Sequence, residues 1–159
     1  MNEIKRDVYL VTGPRKSGKT TRVMNLFRPV KSVSGLYAPV IDDKRFVYSI
    51  HNRRLILLEA DENTLQEDVF KTANYSFRLS AFESARQELS LVSGLGTEWV
   101  VIDEVGYFEM RGTGYEPVLS DLIRELKPAQ KLVLIVRGEI VEEAAAKYNI
   151  NFLALPESV

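Results

Sequence analysis

The segment Gly13–Thr20 constrains the fold of this chain more than any other feature. Its sequence, GPRKSGKT, matches the pattern G-x-x-x-x-G-K-[ST] at every fixed position. In this pattern the backbone N–H groups at a helix N-terminus wrap a polyphosphate, and side chains at the two glycines would obstruct the wrapping. The β-rich run Asp7–Thr12 precedes the loop, and a helix-compatible stretch from Gly18 to Arg28 follows it. The segment therefore predicts a phosphate-binding loop in its required strand–loop–helix setting.

Two side chains of this loop have expected chemical roles. Lys19 is placed to reach the β- and γ-phosphates of a nucleotide, and the hydroxyl group of Thr20 is suited to bind magnesium. The dipole of the following helix adds partial positive charge where the phosphates would lie. The alternative is a glycine-rich turn with solvated basic residues, and the strand and helix around the loop make it the less favoured interpretation.

A second feature is the apolar run Trp99–Ile102, which ends in the acids Asp103 and Glu104. In an open α/β sheet ligands bind beyond the carboxyl ends of the strands, so we expect Asp103 beside a magnesium ion near Thr20. Glu104 is expected to face the γ-phosphate, where a carboxylate can accept a proton from an attacking water or hydroxyl group. Taken alone, such a run is also typical of a strand that simply leads into a loop.

Phosphoryl transfer also needs a positive group near the γ-phosphate. By position we favour Arg137, which follows a predicted strand, and Arg15 inside the loop. Lys16 and Arg111 are alternatives, and each of these residues could equally be a surface cation. His51 is the single histidine, and its place at the end of a predicted strand favours a structural role over a functional one.

Composition excludes several classes of site and partner. The 159 residues include no cysteine and one histidine, which rules out thiolate zinc sites and clusters of histidine ligands and leaves oxygen ligands and Mg²⁺ as the natural cofactor. The net charge of −1 disfavours a nucleic acid partner. The longest apolar runs are far shorter than the roughly 18 residues that cross a bilayer. No export signal is evident at the N-terminus, so we expect a cytoplasmic protein, and no protein partner can be inferred.

Hydrophobic periodicity predicts the rest of the organisation. Alternating residues between positions 36 and 58 predict three antiparallel strands, and Pro39 would place the first of them at a sheet edge. Ser80 fits the capping box of a long helix that Gly94 would end. Further along, helices at 118–126 and 139–148 alternate with strands at 99–103, 131–136 and 151–155.

This alternation predicts one α/β domain over residues 1–159. Its central sheet is expected to be largely parallel, with helices on both faces and an inserted antiparallel β-meander.

The chain resembles the small P-loop nucleoside triphosphatases first described from thermophiles, a family with a cancer-related human member. The resemblance rests on Thr12–Thr21, on the segment starting at Gly35, and on Val101–Glu109. The last stretch is similar to the family signature Asp-Glu-Ile-Gly-x-Met-Glu, with Val105 and Phe108 in place of Ile and Met. The resemblance implies the three-layer fold of P-loop nucleoside triphosphatases.

It also implies magnesium-dependent and slow hydrolysis of several nucleoside triphosphates, ATP and GTP among them, with little base preference. By the same resemblance, Thr20 and Asp103 would hold magnesium, Glu104 would activate water and Glu109 would be a supporting acid. The phosphates would be bound by the loop and the residue after it: Gly13, Pro14, Arg15, Lys16, Ser17, Gly18, Lys19, Thr20 and Thr21. The pair Arg15–Lys16 departs from the family, which tends to carry smaller or neutral residues there.

Two other functions remain open at this point. A kinase on the same scaffold would pass the γ-phosphoryl group to a nucleotide or another small molecule, which requires an acceptor site and usually an arginine-rich lid. Only the meander or the segment around Arg111 could supply such a lid. A nucleotide-operated switch would instead use slow hydrolysis to reset a state bound to a partner.

Overall fold

A computed structural model describes residues 4–159. The first three residues, part of the stretch in which no export signal is evident, lie outside that range. The strands are β1 (Arg6–Val11), β2 (Val33–Tyr37), β3 (Val40–Ile41), β4 (Lys44–Ser49), β5 (Arg54–Leu57), β6 (Val69–Lys71), β7 (Ser76–Arg78), β8 (Trp99–Val105), β9 (Lys131–Val136) and β10 (Ile150–Ala154). The helices are α1 (Lys19–Phe27), α2 (Leu79–Leu95), α3 (Tyr107–Met110), α4 (Val118–Glu125) and α5 (Val141–Tyr148).

The central sheet has the strand order β10-β1-β9-β8-β2-β4-β3, with β5 paired to β4. Its first five strands are parallel, while β2, β4, β3 and β5 pair in antiparallel fashion. The predicted parallel sheet with an inserted meander is thus confirmed. Because parallel strands end at one edge of the sheet, the carboxyl ends of β1, β9, β8 and β2 lie together there.

Helices cover both faces of the sheet, as the sequence predicts. On one face Val23 and Phe27 of α1 pack in a cluster with Val101 and Ile135. On the other face α2, α4 and α5 pack against the strand residues between them in sequence, such as Ile102, which follows Val101. The central strands are therefore buried on both sides, which explains their continuous apolar sequences. Among residues 4–159, no helix combines the length and apolar character needed to span a membrane.

The meander differs from its prediction at Pro39. This residue does not mark an edge strand, because β2 ends before it and lies inside the sheet between β8 and β4. The chain resumes after Pro39 as the two-residue β3, which does form the edge. Proline is excluded from a central ladder because it has no N–H group to donate, so the chain places it in the break between two strands.

The ends of α2 also differ from their predictions. Ser80 does not cap the helix, which begins one residue earlier at Leu79; its Oγ and backbone N–H donate to the carboxylate of Asp68 at 2.6 and 2.7 Å. Gly94 does not end the helix either, since the left-handed residue that follows the last turn is Gly96, with φ of 63°. At the first end the Ser80 side chain bonds to Asp68 instead of capping the helix, and at the other end Gly96 takes the left-handed conformation two residues beyond Gly94.

Candidate functional site

The loop Gly13–Thr20 joins the end of β1 to the start of α1. Gly18 has φ of 79°, a left-handed conformation that costs a glycine little, and the helix begins at the next residue. The Nζ atom of Lys19 donates to the carbonyl oxygens of Gly13 at 2.8 Å and Pro14 at 3.2 Å. The lysine ammonium group therefore lies against the backbone of its own loop.

Thr20 and Asp103 meet directly, although they lie 83 positions apart in the sequence. The hydroxyl group of Thr20 donates to Oδ2 of Asp103 at 2.7 Å, and the backbone N–H of Ala38 donates to the same oxygen at 2.9 Å. Burial raises the pKa of Asp103 to about 6, while these two hydrogen bonds act in the opposite direction. The site thus connects the loop, the end of β2 and the end of β8.

The second oxygen of this carboxylate, Oδ1 of Asp103, is buried without a hydrogen-bond partner in the described chain. A buried acceptor without a protein partner is costly, so this oxygen is suited to bind a cation. Together with the Thr20 hydroxyl it offers oxygen ligands, which Mg²⁺ prefers, and Mg²⁺ is commonly held by one or two protein oxygens plus substrate phosphates. The residues present fit magnesium. Within residues 4–159 no cluster of three or more His, Asp or Glu side chains offers a cage for a metal by itself.

Glu104 is exposed and has a positive φ of 64°, which is uncommon for a residue with a side chain. The pairing of β8 with β9 shifts register between Ile102 and Val105, so the ladder between the two strands is irregular at this position. Asp103 is consequently turned inward against the loop while Glu104 lines a neighbouring cavity.

The two favoured arginines lie on the wall of the same cavity. The guanidinium group of Arg137 lies 5.6 Å from the centre of the Tyr107 ring. Arg15 donates to the hydroxyl group of Tyr75 at 2.9 Å. Lys16 is exposed with φ of 57°, and it is absent from this cavity wall.

Glu109 organises the chain after β8. Its Oε2 accepts the backbone N–H of Gly106 at 2.9 Å and its Oε1 accepts that of Tyr115 at 3.2 Å. Burial raises the pKa of Glu109 to about 7. Gly114 passes so close that a Cβ there would lie 2.4 Å from Oε1. Glu109 therefore positions the segment that carries Tyr107 and Arg111. In this structure the acid holds the backbone of the site in place.

The sequence did not indicate the hairpin of β6 and β7, whose tip at residues 72–75 forms another wall of the cavity. Both Arg15 and Arg45 donate to the hydroxyl group of Tyr75, each at 2.9 Å, and the Arg45 guanidinium lies 4.4 Å from the ring centre. The aromatic residues between positions 70 and 82 were the available signal. Their spacing fits core packing equally well, so it could not identify a cavity wall.

His51 lies elsewhere. It is buried beside Glu88, whose Oε2 is 3.1 Å from His51 Nε2 and also accepts hydrogen bonds from Ser49 and Asn52. This polar cluster fixes the end of β4 against α2, as the structural interpretation of the histidine predicts.

A known structure shares this arrangement of strands and helices. The crystal structure of THEP1 from the hyperthermophile Aquifex aeolicus is similar to this chain with a TM-score of 0.59, over 96 % of this chain and 90 % of that chain. This chain has the P-loop nucleoside-triphosphatase fold. The identity between the two sequences is 15 %, so the likeness concerns the fold. No protein-family model and no curated protein matches the sequence.

Proposed function

We propose that this chain binds a nucleoside triphosphate with Mg²⁺ on its phosphate loop and hydrolyses the β–γ phosphoanhydride bond. The observation that carries the proposal is the Thr20–Asp103 hydrogen bond, with the second Asp103 oxygen buried and without a partner beside it. This geometry brings the loop motif and the acidic strand end to one point. A glycine-rich turn with solvated basic residues would not require it.

Binding rests on the loop and on Lys19. The backbone N–H groups of Gly13–Thr20 and the start of α1 would bind the phosphates, and the Lys19 ammonium would exchange its two loop carbonyls for phosphate oxygens. Magnesium, held by Thr20 and Asp103, would offset negative charge on the β- and γ-phosphates. ATP and GTP are the expected substrates, and the chain lacks the guanine-specific Asn-Lys-x-Asp sequence, which favours broad base use or use of adenine.

Glu104 is the residue proposed to orient the attacking water. Its carboxylate accepts the proton as the water oxygen bonds to the γ-phosphorus and the bridging oxygen leaves with the nucleoside diphosphate. Arg137 is the group proposed to offset charge as it develops on the transferred phosphoryl group. Arg137 follows β9, which lies between β1, the strand that precedes the phosphate loop, and β8, the strand that contains Asp103 and Glu104. This place in the sheet supports the role.

The proposal is tested by nucleotide calorimetry and by phosphate release with and without magnesium. Lys19→Ala should weaken binding of MgATP by about tenfold or more, because a charge-assisted contact to the phosphates is lost. Lys31→Ala removes the same charge from an exposed position outside the loop and serves as the matched control. If the folded protein shows no heat of association with millimolar MgATP or MgGTP, the proposal is wrong.

A further inference from the structure

The cavity beside Glu104 is larger than hydrolysis needs. Its volume is about 280 Å³, close to the lower end of ordinary small-molecule sites, which begin at roughly 300 Å³. The loop contributes only Arg15 to its wall, so most of the cavity lies beyond the phosphate loop. An attacking water would occupy a small part of this space.

Part of the cavity wall is aromatic. Phe77, Phe82 and Phe108 line it, and their rings contact one another edge to face, with centroids 5.7 to 5.9 Å apart. Phe77 and Phe82 are almost fully buried, so these rings are fixed by packing. A flat aromatic group can pack against such walls at little entropic cost.

Another part of the wall is cationic. Arg15, Arg111 and Arg137 line it, and within residues 4–159 none of these three forms an ion pair with a carboxylate. Arg45 adds a fourth guanidinium group, which Glu59 partly offsets at 3.9 Å. Arginines without acidic partners on a cavity wall suit a phosphate group, which they bind with paired hydrogen bonds.

We propose that this cavity binds a nucleoside monophosphate, which replaces water as the acceptor of the γ-phosphoryl group. The base would pack against the aromatic rings and the phosphate would bind the arginines that share this wall with Glu104. An oxygen of the monophosphate dianion forms a bond to the γ-phosphorus, and the bond from that phosphorus to the β–γ bridging oxygen breaks. The electron pair leaves with the donor, so two nucleoside diphosphates form and no proton is transferred. The transfer step rests on the proposed binding of MgATP, whereas monophosphate binding does not.

Binding is measured first, without triphosphate, by titrating AMP, GMP, CMP and UMP into the protein in a calorimeter. Arg45→Met and Arg111→Met should each weaken binding about tenfold or more, through loss of a charged contact. Arg111 is exposed, so its variant keeps the test valid if Arg45→Met does not fold. Arg124→Met is the matched control, because Arg124 is exposed on α4 and pairs with Asp121. Absence of saturable binding for all four nucleotides at millimolar concentration overturns the proposal.

A second titration tests whether the cavity binds a monophosphate acceptor or instead holds the base of the triphosphate. Monophosphate binding should persist when the loop is saturated with magnesium and an ATP analogue whose β–γ bridge is an imido group. If the analogue displaces the monophosphate competitively, the cavity belongs to the triphosphate and the proposal is wrong.

Transfer is then followed with ATP labelled in the γ-phosphate. The label should appear in a nucleoside diphosphate, and Glu104→Gln should reduce release of inorganic phosphate far more than this transfer, because a phosphate dianion needs no base. Label found only in inorganic phosphate overturns the acceptor role and leaves the proposed hydrolysis intact. A protein that binds the monophosphates but neither binds nor cleaves ATP contradicts the proposed function instead.

Discussion

Gly35 sets the contact between β2 and β8, and its replacement by alanine should destabilise both the fold and the site. Gly35 pairs with Val101 in the parallel ladder and has φ of 119°. A Cβ atom at this position would lie 1.9 Å from the carbonyl oxygen of Val101, whereas real Cβ atoms essentially never approach another heavy atom within 3.0 Å. The obstacle is backbone, so no rotamer change can relieve the clash.

The expected cost can be worked from this geometry. Separating the two atoms requires the strands to move apart by more than about 1 Å, on a normal strand spacing of about 4.8 Å, which breaks local ladder hydrogen bonds. Those bonds are worth about 1 kcal/mol each, and the left-handed backbone adds about 1–3 kcal/mol for a residue with a side chain. We expect Gly35→Ala to lower the free energy of unfolding by about 4 kcal/mol, a large share of the stability of one domain.

The assay is urea unfolding followed by far-ultraviolet circular dichroism. Gly94→Ala is the matched control, because a Cβ at this exposed helical position meets nothing within 4 Å. Alanine has the higher helix propensity, so this control should raise the free energy of unfolding by about 0.5–1 kcal/mol. A loss below 1 kcal/mol in Gly35→Ala would refute the reasoning. The protein that still folds should also bind nucleotide less tightly, because Ala38, whose N–H donates to Asp103, directly follows β2.

Three further predictions concern the site. Glu104→Gln should reduce steady-state phosphate release by about a hundredfold or more, the usual effect of losing a general base, with little change in MgATP affinity; unchanged turnover would exclude this role. Thr20→Val should raise the magnesium concentration for half-maximal hydrolysis about tenfold, and removal of magnesium with a chelator should stop the parent enzyme, so activity in chelator would contradict a metal at Thr20 and Asp103. Burial raises the pKa of Glu109 from 4.5 to about 7, so the folded state holds this proton more tightly and stability falls as pH rises from about 5 to 8, by at most about 3 kcal/mol. Thermal unfolding across this range should show a smaller decline in Glu109→Gln, and equal declines would contradict the assignment.

Local signals predicted the elements that form the edge of the sheet at which the candidate site lies. The glycine and lysine spacing of Gly13–Thr20 is a backbone requirement, and a strand buried on both faces must be apolar along its whole length, as β8 and β9 are. The Thr20–Asp103 contact followed from topology, because parallel strands end at one edge. Helix ends were less certain, since the Ser80 side chain bonds to Asp68 and Gly96 competes with Gly94 for the left-handed position.

The cavity could not be predicted, because long-range contacts build its walls. Tyr75 receives hydrogen bonds from Arg15 and Arg45, which lie 60 and 30 positions away. The strands β6 and β7 are three residues each, too short for alternation to distinguish them from a loop. Glu109 was expected among the acids of the site, yet its role depends on backbone N–H groups at Gly106 and Tyr115, which no residue pattern reveals.

The backbone at Glu104 has a consequence for engineering. A residue with a side chain pays about 1 kcal/mol or more for its left-handed conformation, and glycine would adopt the same φ of 64° without that penalty. Glu104→Gly should consequently yield a protein that withstands heat or denaturant better than its parent while losing turnover. Screening for robustness alone would therefore select against the side chain that we propose to orient the attacking water.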